Sequence, residues 1–405
     1  MKILYVVHQF FPYHHTGTER LTLQLAKQMQ KMGNYVTVLT YEPNKSNEGF
    51  VSLDKYIMKK EYQFETIPVI ALKAQHSLQD RDFHIFEDQI SKHIPEILNK
   101  FDIVHFTHPM RLGATIKVCK ELKVPTVLTL TDNWLLCPHG LLTKNLELCD
   151  GPEEGKKCMH VCKYDKKILS RYQDAKSFFD SVDMIFAGCE FLKESFGLNH
   201  WNKKINLNTF SMDYSYVKPK EEIQDRIITF GFIGSLIWQK GVHILIDAFK
   251  KIPEENVRLK IYGKGVEGDM TENNLVSLAS NDKRIEFCGT FEYEELPNII
   301  NKLSIVVIPS TYKEIYPLVM QIARAYKKPI IASKIGGMPE VIENGVNGYL
   351  FDIGNSDQLA SIMDSILKNP EILSQLKKGI TLPPGIEEEA FNYAQAYEQL
   401  LKNKN

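Results

Sequence analysis

Residues Ile305 to Glu340 read IVVIPSTYKEIYPLVMQIARAYKKPIIASKIGGMPE. The first four, Ile305 to Ile308, are an unbroken β-branched run, as expected of a strand covered on both faces. A polar turn follows, and then Pro317, which suits the first position of a helix because its missing N–H would be unpaired there anyway. Leu318, Ile322 and Ala325 recur at helical spacing, and Pro329-Ile330-Ile331-Ala332 restarts a strand. The stretch therefore predicts a β-α-β unit. At its helix start the N–H groups of Leu318 and Val319 are free and the helix dipole is positive, which makes a natural phosphate site. Glu314, just upstream, can accept hydrogen bonds from hydroxyls. Together they predict a pocket for a phosphorylated, polyhydroxylated ligand.

The same alternation runs through the rest of the chain. Ile3 to Val7, Tyr35 to Thr40, Ile103 to Phe106 and Thr126 to Thr131 read as parallel strands, with helical spacing between them at Leu21, Leu25, Met29 and Met32 before Gly33. It restarts with Ile227 to Ile233, a helix over Val242 to Phe249, and strands at Leu259 to Tyr262 and Ile285 to Cys288. The fold class is α/β, with one architecture repeated twice. Asn206 to Glu222 is polar and without period, so the linker is placed there. The expected domains are 1–209, carrying a cysteine-containing insertion at about 133–165, and 210–385. Residues 386–405 form a C-terminal helix expected to pack back on the first domain.

With 405 residues, of which 43% are hydrophobic and 24% charged, the chain can bury two sizeable cores. A formal charge of −1 supplies no global field for nucleic acid. No apolar run approaches the roughly 18 to 20 residues that span a bilayer. Met1 leads straight into a strand without a signal peptide's apolar segment, so a cytoplasmic location is expected, with seven cysteines suiting a reducing compartment.

In open α/β sheets ligands sit beyond the carboxyl ends of the strands. After Ile227 to Ile233 comes the Gly-bounded loop Gly234-Ser235-Leu236-Ile237-Trp238-Gln239-Lys240-Gly241, which places Lys240 at a helix start, where a lysine can neutralise a diphosphate. After the first strand, Thr16-Gly17-Thr18-Glu19 precedes a helix, and glycine there lets backbone approach a ligand. His105 and His108 follow Ile103 to Phe106, and His108, beyond the strand end, is the better cleft candidate.

Taken in order, these residues resemble glycosyltransferase family 4, retaining enzymes of GT-B fold that use UDP- or GDP-sugars. The likeness rests on Glu314, Pro317-Leu318-Val319, Pro329 to Ser333, Gly336-Gly337-Met338-Pro339-Glu340 and Asn344-Gly345-Val346-Asn347-Gly348-Tyr349. It implies two Rossmann-like domains facing a central cleft. It also implies that Glu314 binds the donor sugar, that Leu318 and Val319 hold the phosphates with Pro317 and Ser235 nearby, and that Lys240 offsets charge on the departing diphosphate. Gly17 and Thr18 would close over the phosphates. No metal is expected for the chemistry. The implied function is sugar transfer to a glycan or lipid-linked glycan in surface polysaccharide or glycolipid synthesis.

Two positions depart from the family pattern. Ile322 stands where a second glutamate binds the nucleotide ribose, and adjacent Gln321 points about 100° away on a helix. Thr131 stands where many relatives have the histidine before Asp132; it cannot carry a proton near neutral pH. His108, Thr131 and Asp132 are the acceptor-side candidates. The alternative reading is a nucleotide-sugar-binding protein of the same fold that has lost turnover. A sugar-nucleotide epimerase of GT-B fold is disfavoured by the full C-terminal signature.

Cys137, Cys149, Cys158 and Cys162 fall at separations of 12, 9 and 4 in a Gly-, Pro- and Lys-rich segment. Structural zinc is the first reading, since four thiolates can fold a loop around a tetrahedral ion; free thiols and disulfides stay open. Cysteine-bearing inserts of this kind resemble those of a subset of the family. Lys156, Lys157, Lys163, Lys166, Lys167, Arg171 and Lys176 read as a solvated face. A second reading sets them against anionic lipid headgroups, which would place the protein peripherally at the inner face of the membrane.

Overall fold

The apolar runs pair into two separate sheets in a computed structural model, which describes residues 1–43, 46–75, 88–144, 147–217, 227–265, 272–280 and 282–403. The chain divides into two units. One comprises Met1–Lys144, Cys149–Asp213 and Pro384–Asn405, the other Asn145–Leu148 and Tyr214–Pro383.

The first unit holds strands β1 (Lys2–Val7), β2 (Tyr35–Tyr41), β3 (Val51–Ser52), β4 (Ile57–Phe64), β5 (Ile67–Ala74), β6 (Ile103–Phe106), β7 (Thr126–Leu130), β8 (Met184–Ala187) and β9 (Ile205–Leu207). Their order is β9-β8-β7-β6-β1-β2-β5-β4-β3. From β9 to β5 every pairing is parallel, in keeping with β1, β6 and β7, whose central residues are all buried. The edge β5-β4-β3 is antiparallel and was not expected from the sequence: β4 carries Lys59, Lys60, Glu61 and Gln63, whose polarity suits an edge that faces water. Helix α1 (Gly17–Lys31) packs Leu21, Leu25 and Met29 inward and ends before Gly33. Helix α2 (Lys167–Ser181) follows the cysteine-bearing segment.

The second unit has six parallel strands, β10 (Ile228–Ile233), β11 (Val257–Tyr262), β12 (Ile285–Gly289), β13 (Ile305–Ile308), β14 (Ile330–Ser333) and β15 (Gly348–Phe351), ordered β12-β11-β10-β13-β14-β15. Helices α3 (Val242–Lys250), α4 (Glu272–Ala279), α5 (Leu318–Ala325) and α6 (Ser356–Lys368) accompany it, and Phe230, Phe249, Leu259, Val307 and Leu359 lie in one buried cluster.

Helix α7 (Ile386–Lys402) belongs to the first unit. Its Tyr393 and Tyr397 are fully buried and meet polar groups of the sheet: Thr129 Oγ1 lies 2.7 Å from the Tyr393 hydroxyl, and His105 Nδ1 lies 2.6 Å from that of Tyr397. Tyr5 Oη is 3.3 Å from Tyr397 Oη, and His105 Nε2 is 2.7 Å from Thr129 Oγ1. Buried Glu389 accepts from Ser211 N at 2.8 Å and Ser211 Oγ at 2.6 Å, while Asn208 Nδ2 donates to its carbonyl at 3.0 Å. This corrects the linker: Ile205–Leu207 is the last strand of the first sheet, and Asn208 and Ser211 are buried beneath α7. The rest of that segment, from residue 218, lies outside the described residues.

Burial pushes the Glu389 carboxyl up to about 8, outweighing the Ser211 hydrogen bonds that favour its charged form. The folded chain then binds a proton that the unfolded chain has released between about pH 4.5 and 8. Stability from this group is full at low pH and lost as pH rises through that window. Relative to Glu389→Gln, the native chain is expected to lose about 2 kcal/mol or more between pH 5 and pH 8 in urea titrations; parallel pH profiles for the two proteins would rule the effect out.

Candidate active site

In each sheet the chain leaves a central strand in both directions, and the loops at such a switch point diverge to leave a crevice. In the second unit the strand is β10, flanked by β11 and β13. A short 3-10 turn, Trp238–Lys240, follows β10 and closes on Gly241 at φ +71°. A Cβ there would lie 1.8 Å from the Pro309 carbonyl oxygen, so glycine is what lets this loop touch the loop after β13. Thr311 N donates to Gln239 O at 2.8 Å across the seam.

That contact brings Lys240 and Glu314 together. Lys240 Nζ lies 2.5 Å from Glu314 Oε1 and 3.0 Å from the Tyr312 hydroxyl, and Ser310 Oγ donates to Glu314 Oε1 at 2.9 Å. Glu314 is only 5% exposed. Burial opposes the charge on Lys240, but the Glu314 carboxylate and Tyr312 prevail and raise its pKa above the ordinary lysine value. It is therefore held as a cation, partly screened from water by Glu314 and Tyr312. Behind it Gly336, at φ +61°, lets the backbone pass: a Cβ would lie 1.8 Å from Glu314 O, and Gly337 N donates to that oxygen at 2.9 Å.

Helix α5 begins at Leu318, with Pro317 as its N-cap in an extended conformation rather than as its first residue. Met320 N bonds to Pro317 O at 3.0 Å. The α-helical ladder offers the N–H groups of Leu318 and Val319 no partner. Ser235 is exposed in the turn between Gly234, which donates to Tyr262 O, and Leu236, which donates to Lys264 O. Ile322 is buried on the inner face of α5. Gln321 is fully buried too; its Oε1 accepts from Arg324 Nη1 at 3.1 Å, and its Nε2 has no partner.

In the first unit the switch strand is β1, between β2 and β6. His8 follows β1, His108 follows β6, and Asp132 follows β7. The His8 and His108 rings have centroids 4.1 Å apart, His108 and Trp134 5.1 Å, and His108 Nε2 is 3.5 Å from Asp132 Oδ2. Thr131 Oγ1 donates to Thr107 O at 3.1 Å. Gly17 and Thr18 form the first turn of α1 rather than a loop before it, and Thr22 Oγ1 donates to Thr18 O. Glu19, fully buried in that turn, accepts from Thr16 Oγ1 at 2.6 Å and stands 3.6 Å from His8 Nε2. Burial, then His108, Arg111 and His14, hold His8 well below the ordinary histidine range, so it is neutral. His8 Nδ1, Glu19 Oε1, both amide atoms of Asn133 and Trp134 Nε1 are buried without a partner. Sequence reasoning singled out none of these groups. Their only signal is position: His8, Asn133 and Trp134 lie just past strand ends, and Glu19 lies in the first turn of α1.

The cysteine segment keeps its four thiols as neighbours, with Cys137, Cys149 and Cys162 each close enough to act on Cys158. Among the described residues no three His, Cys, Asp or Glu side chains are grouped so as to hold a metal ion, and none of the seven cysteines is in a disulfide. Burial, reinforced by the neighbouring thiols, pushes Cys158 up to about 12, and burial also raises Cys137. What pins the segment is Arg171, read from the sequence as part of a solvated face and in fact 2% exposed. It donates to the carbonyls of Leu135 (2.8 Å) and Trp134, with its guanidinium 4.6 Å from the Trp134 ring centroid.

Two family models match the chain: Glycosyltransferase Family 4 over residues 15–201 and Glycosyl transferases group 1 over residues 216–381. An uncharacterized glycosyltransferase of Methanocaldococcus jannaschii is 30% identical over 217 residues, which is 52% of this chain and 58% of that protein. A D-inositol 3-phosphate glycosyltransferase of a Mycobacterium species is 29% identical over 40% of this chain and 38% of its own length. The chain thus spans little more than half, or less, of these curated relatives. Among solved structures, Anabaena HepE in complex with UDP and glucose superposes with a TM-score of 0.70 at 18% identity, over 98% of this chain and 99% of that one. At that identity the likeness speaks for the fold, and it extends over both units. With one model on each unit and a shared fold throughout, the chain belongs to the family 4 glycosyltransferases of GT-B fold.

Proposed function

We propose that the chain is a retaining glycosyltransferase that moves a sugar from a nucleotide-diphosphate donor, UDP- or GDP-linked, to a glycan or lipid-linked glycan, in the synthesis of a surface polysaccharide or glycolipid. The observation that carries this reading is the contact between half-buried Lys240 and buried Glu314, a few residues ahead of a helix start with free N–H groups. As the bond between the anomeric carbon and the diphosphate oxygen breaks, negative charge grows on the departing nucleotide. Lys240 and the N–H groups of Leu318 and Val319 stabilise that charge, with Pro317 and Ser235 bordering the same loops. Glu314, with one oxygen engaged by Lys240 and Ser310, orients sugar hydroxyls. The acceptor hydroxyl attacks from the face the nucleotide leaves, so the anomeric configuration is kept. Gly17 and Thr18, at the start of α1, are assigned to donor binding. His108, Thr131 and Asp132 are assigned to the acceptor, joined by His8.

The complex of HepE with UDP and glucose and the Mycobacterium relative named D-inositol 3-phosphate glycosyltransferase support this substrate chemistry. With Lys240 and a helix start supplying positive potential, the chemistry needs no metal, and turnover in EDTA is expected to match that without it. Ile322, apolar and buried, favours a second reading in which the chain binds nucleotide sugars without turnover. Incubation with a panel of nucleotide sugars and lipid-linked acceptors, following nucleotide release, separates the two: binding without release for every acceptor speaks for the second.

Lys240→Ala and Glu314→Ala are each expected to lower turnover by at least about 100-fold, and near-normal rates in either would remove its role. Gly336→Ala should displace Glu314 through its backbone, with activity lost alongside at least about 1 kcal/mol of stability; an unchanged melting temperature and rate would contradict the steric reading.

A further inference from the structure

The second unit carries a groove of about 660 Å³ lined by residues of the 3-10 turn, α3, α4 and the start of α6. Neither Lys240 nor Glu314 lines it. The Trp238 and His243 rings stack within it, 3.8 Å apart and 18° from parallel. Leu275 and Ile244 form an apolar floor, and Leu278 and Ile353 stand at the rim, each 37% exposed. Asp247, Asn274 and Ser356 add polar atoms to the wall.

Three properties narrow the ligand. The volume suits a molecule of one to a few rings. Burial pushes His243 down to about 4, so it is neutral, and its buried Nδ1 has no partner. Asp247 is then the one charged side chain among the described lining residues, and it is already paired with Lys251 at 2.8 Å. A nucleotide or phosphate headgroup would meet a carboxylate and no lining cation, which disfavours anions. A neutral molecule with a flat C–H face and a polar edge fits a wall of rings and aliphatic side chains edged by a carboxylate, an amide and a hydroxyl.

We propose that this groove is a second carbohydrate site, which takes a neutral pyranose unit of an oligosaccharide. The assignment of glycans as substrates underlies the choice of ligand, but the test reads binding rather than transfer, so it stands apart from the test of turnover. The full chain is titrated with pentasaccharides of glucose, mannose and N-acetylglucosamine, followed by saturation-transfer NMR and calorimetry, with and without saturating UDP. At least one series is expected to bind equally in both conditions. Leu278→Arg and Ile353→Arg, changes at exposed positions, should each weaken that binding at least about tenfold while leaving the melting temperature unchanged. The proposal is overturned if no saccharide binds, if UDP displaces the saccharide, or if both variants bind like the native chain. Uptake of octanol with no uptake of saccharide would make the groove an acyl-chain site instead.

Discussion

A parallel sheet covered on both faces leaves no place along its strands for a polar group that lacks a partner. In this chain the constraint operates twice. β1, β6 and β13 are apolar almost throughout, and the first residues free to be polar and reactive are those just past their carboxyl ends: His8, His108 and the loop leading to Glu314. Chemistry collects there because the fold excludes it elsewhere, and switch points decide which strand ends matter.

Within that frame the second unit builds its centre by steric permission. Gly241 and Gly336 each occupy a left-handed conformation in which any side chain would collide with a carbonyl oxygen. They allow three loops to meet, and the meeting holds a lysine and a glutamate in contact under cover. An ion pair whose carboxylate is buried has a desolvation cost that tight geometry and further hydrogen bonds offset. Tyr312 and Ser310 supply those bonds. The first unit solves a different problem. His105, Thr129 and Tyr5 are polar groups inside a sheet, tolerated because α7 brings tyrosine hydroxyls to meet them.

Much of this was legible in the order of residues. Continuous β-branched runs located the central strands, and the motifs from Glu314 onward carried the resemblance to the family. What escaped depended on partners distant in sequence. β4 was passed over because its lysines and glutamate look like loop, which is how an edge strand presents itself. Asn208 and Ser211 looked like linker, since nothing local shows the helix that covers them. Arg171 looked like surface charge, and only the carbonyls of Leu135 and Trp134 explain its burial. The four cysteines suggested a metal by count, and the fold brings them near one another across separations that give no local sign of it. His8 and Glu19 carried no motif; their burial beside each other is a fact of tertiary structure.

The partnership of Tyr5 with Tyr397 spans 392 residues. A chain made from its amino end produces the whole of the second unit before it can supply the helix that covers β1, β6 and β7. Until then His105 and Thr129 lack the hydroxyls that satisfy them, and the face they occupy stays open. The second unit, contiguous apart from a short tip of the first, needs no such wait and can close while synthesis continues. The unit made first is therefore the one completed last.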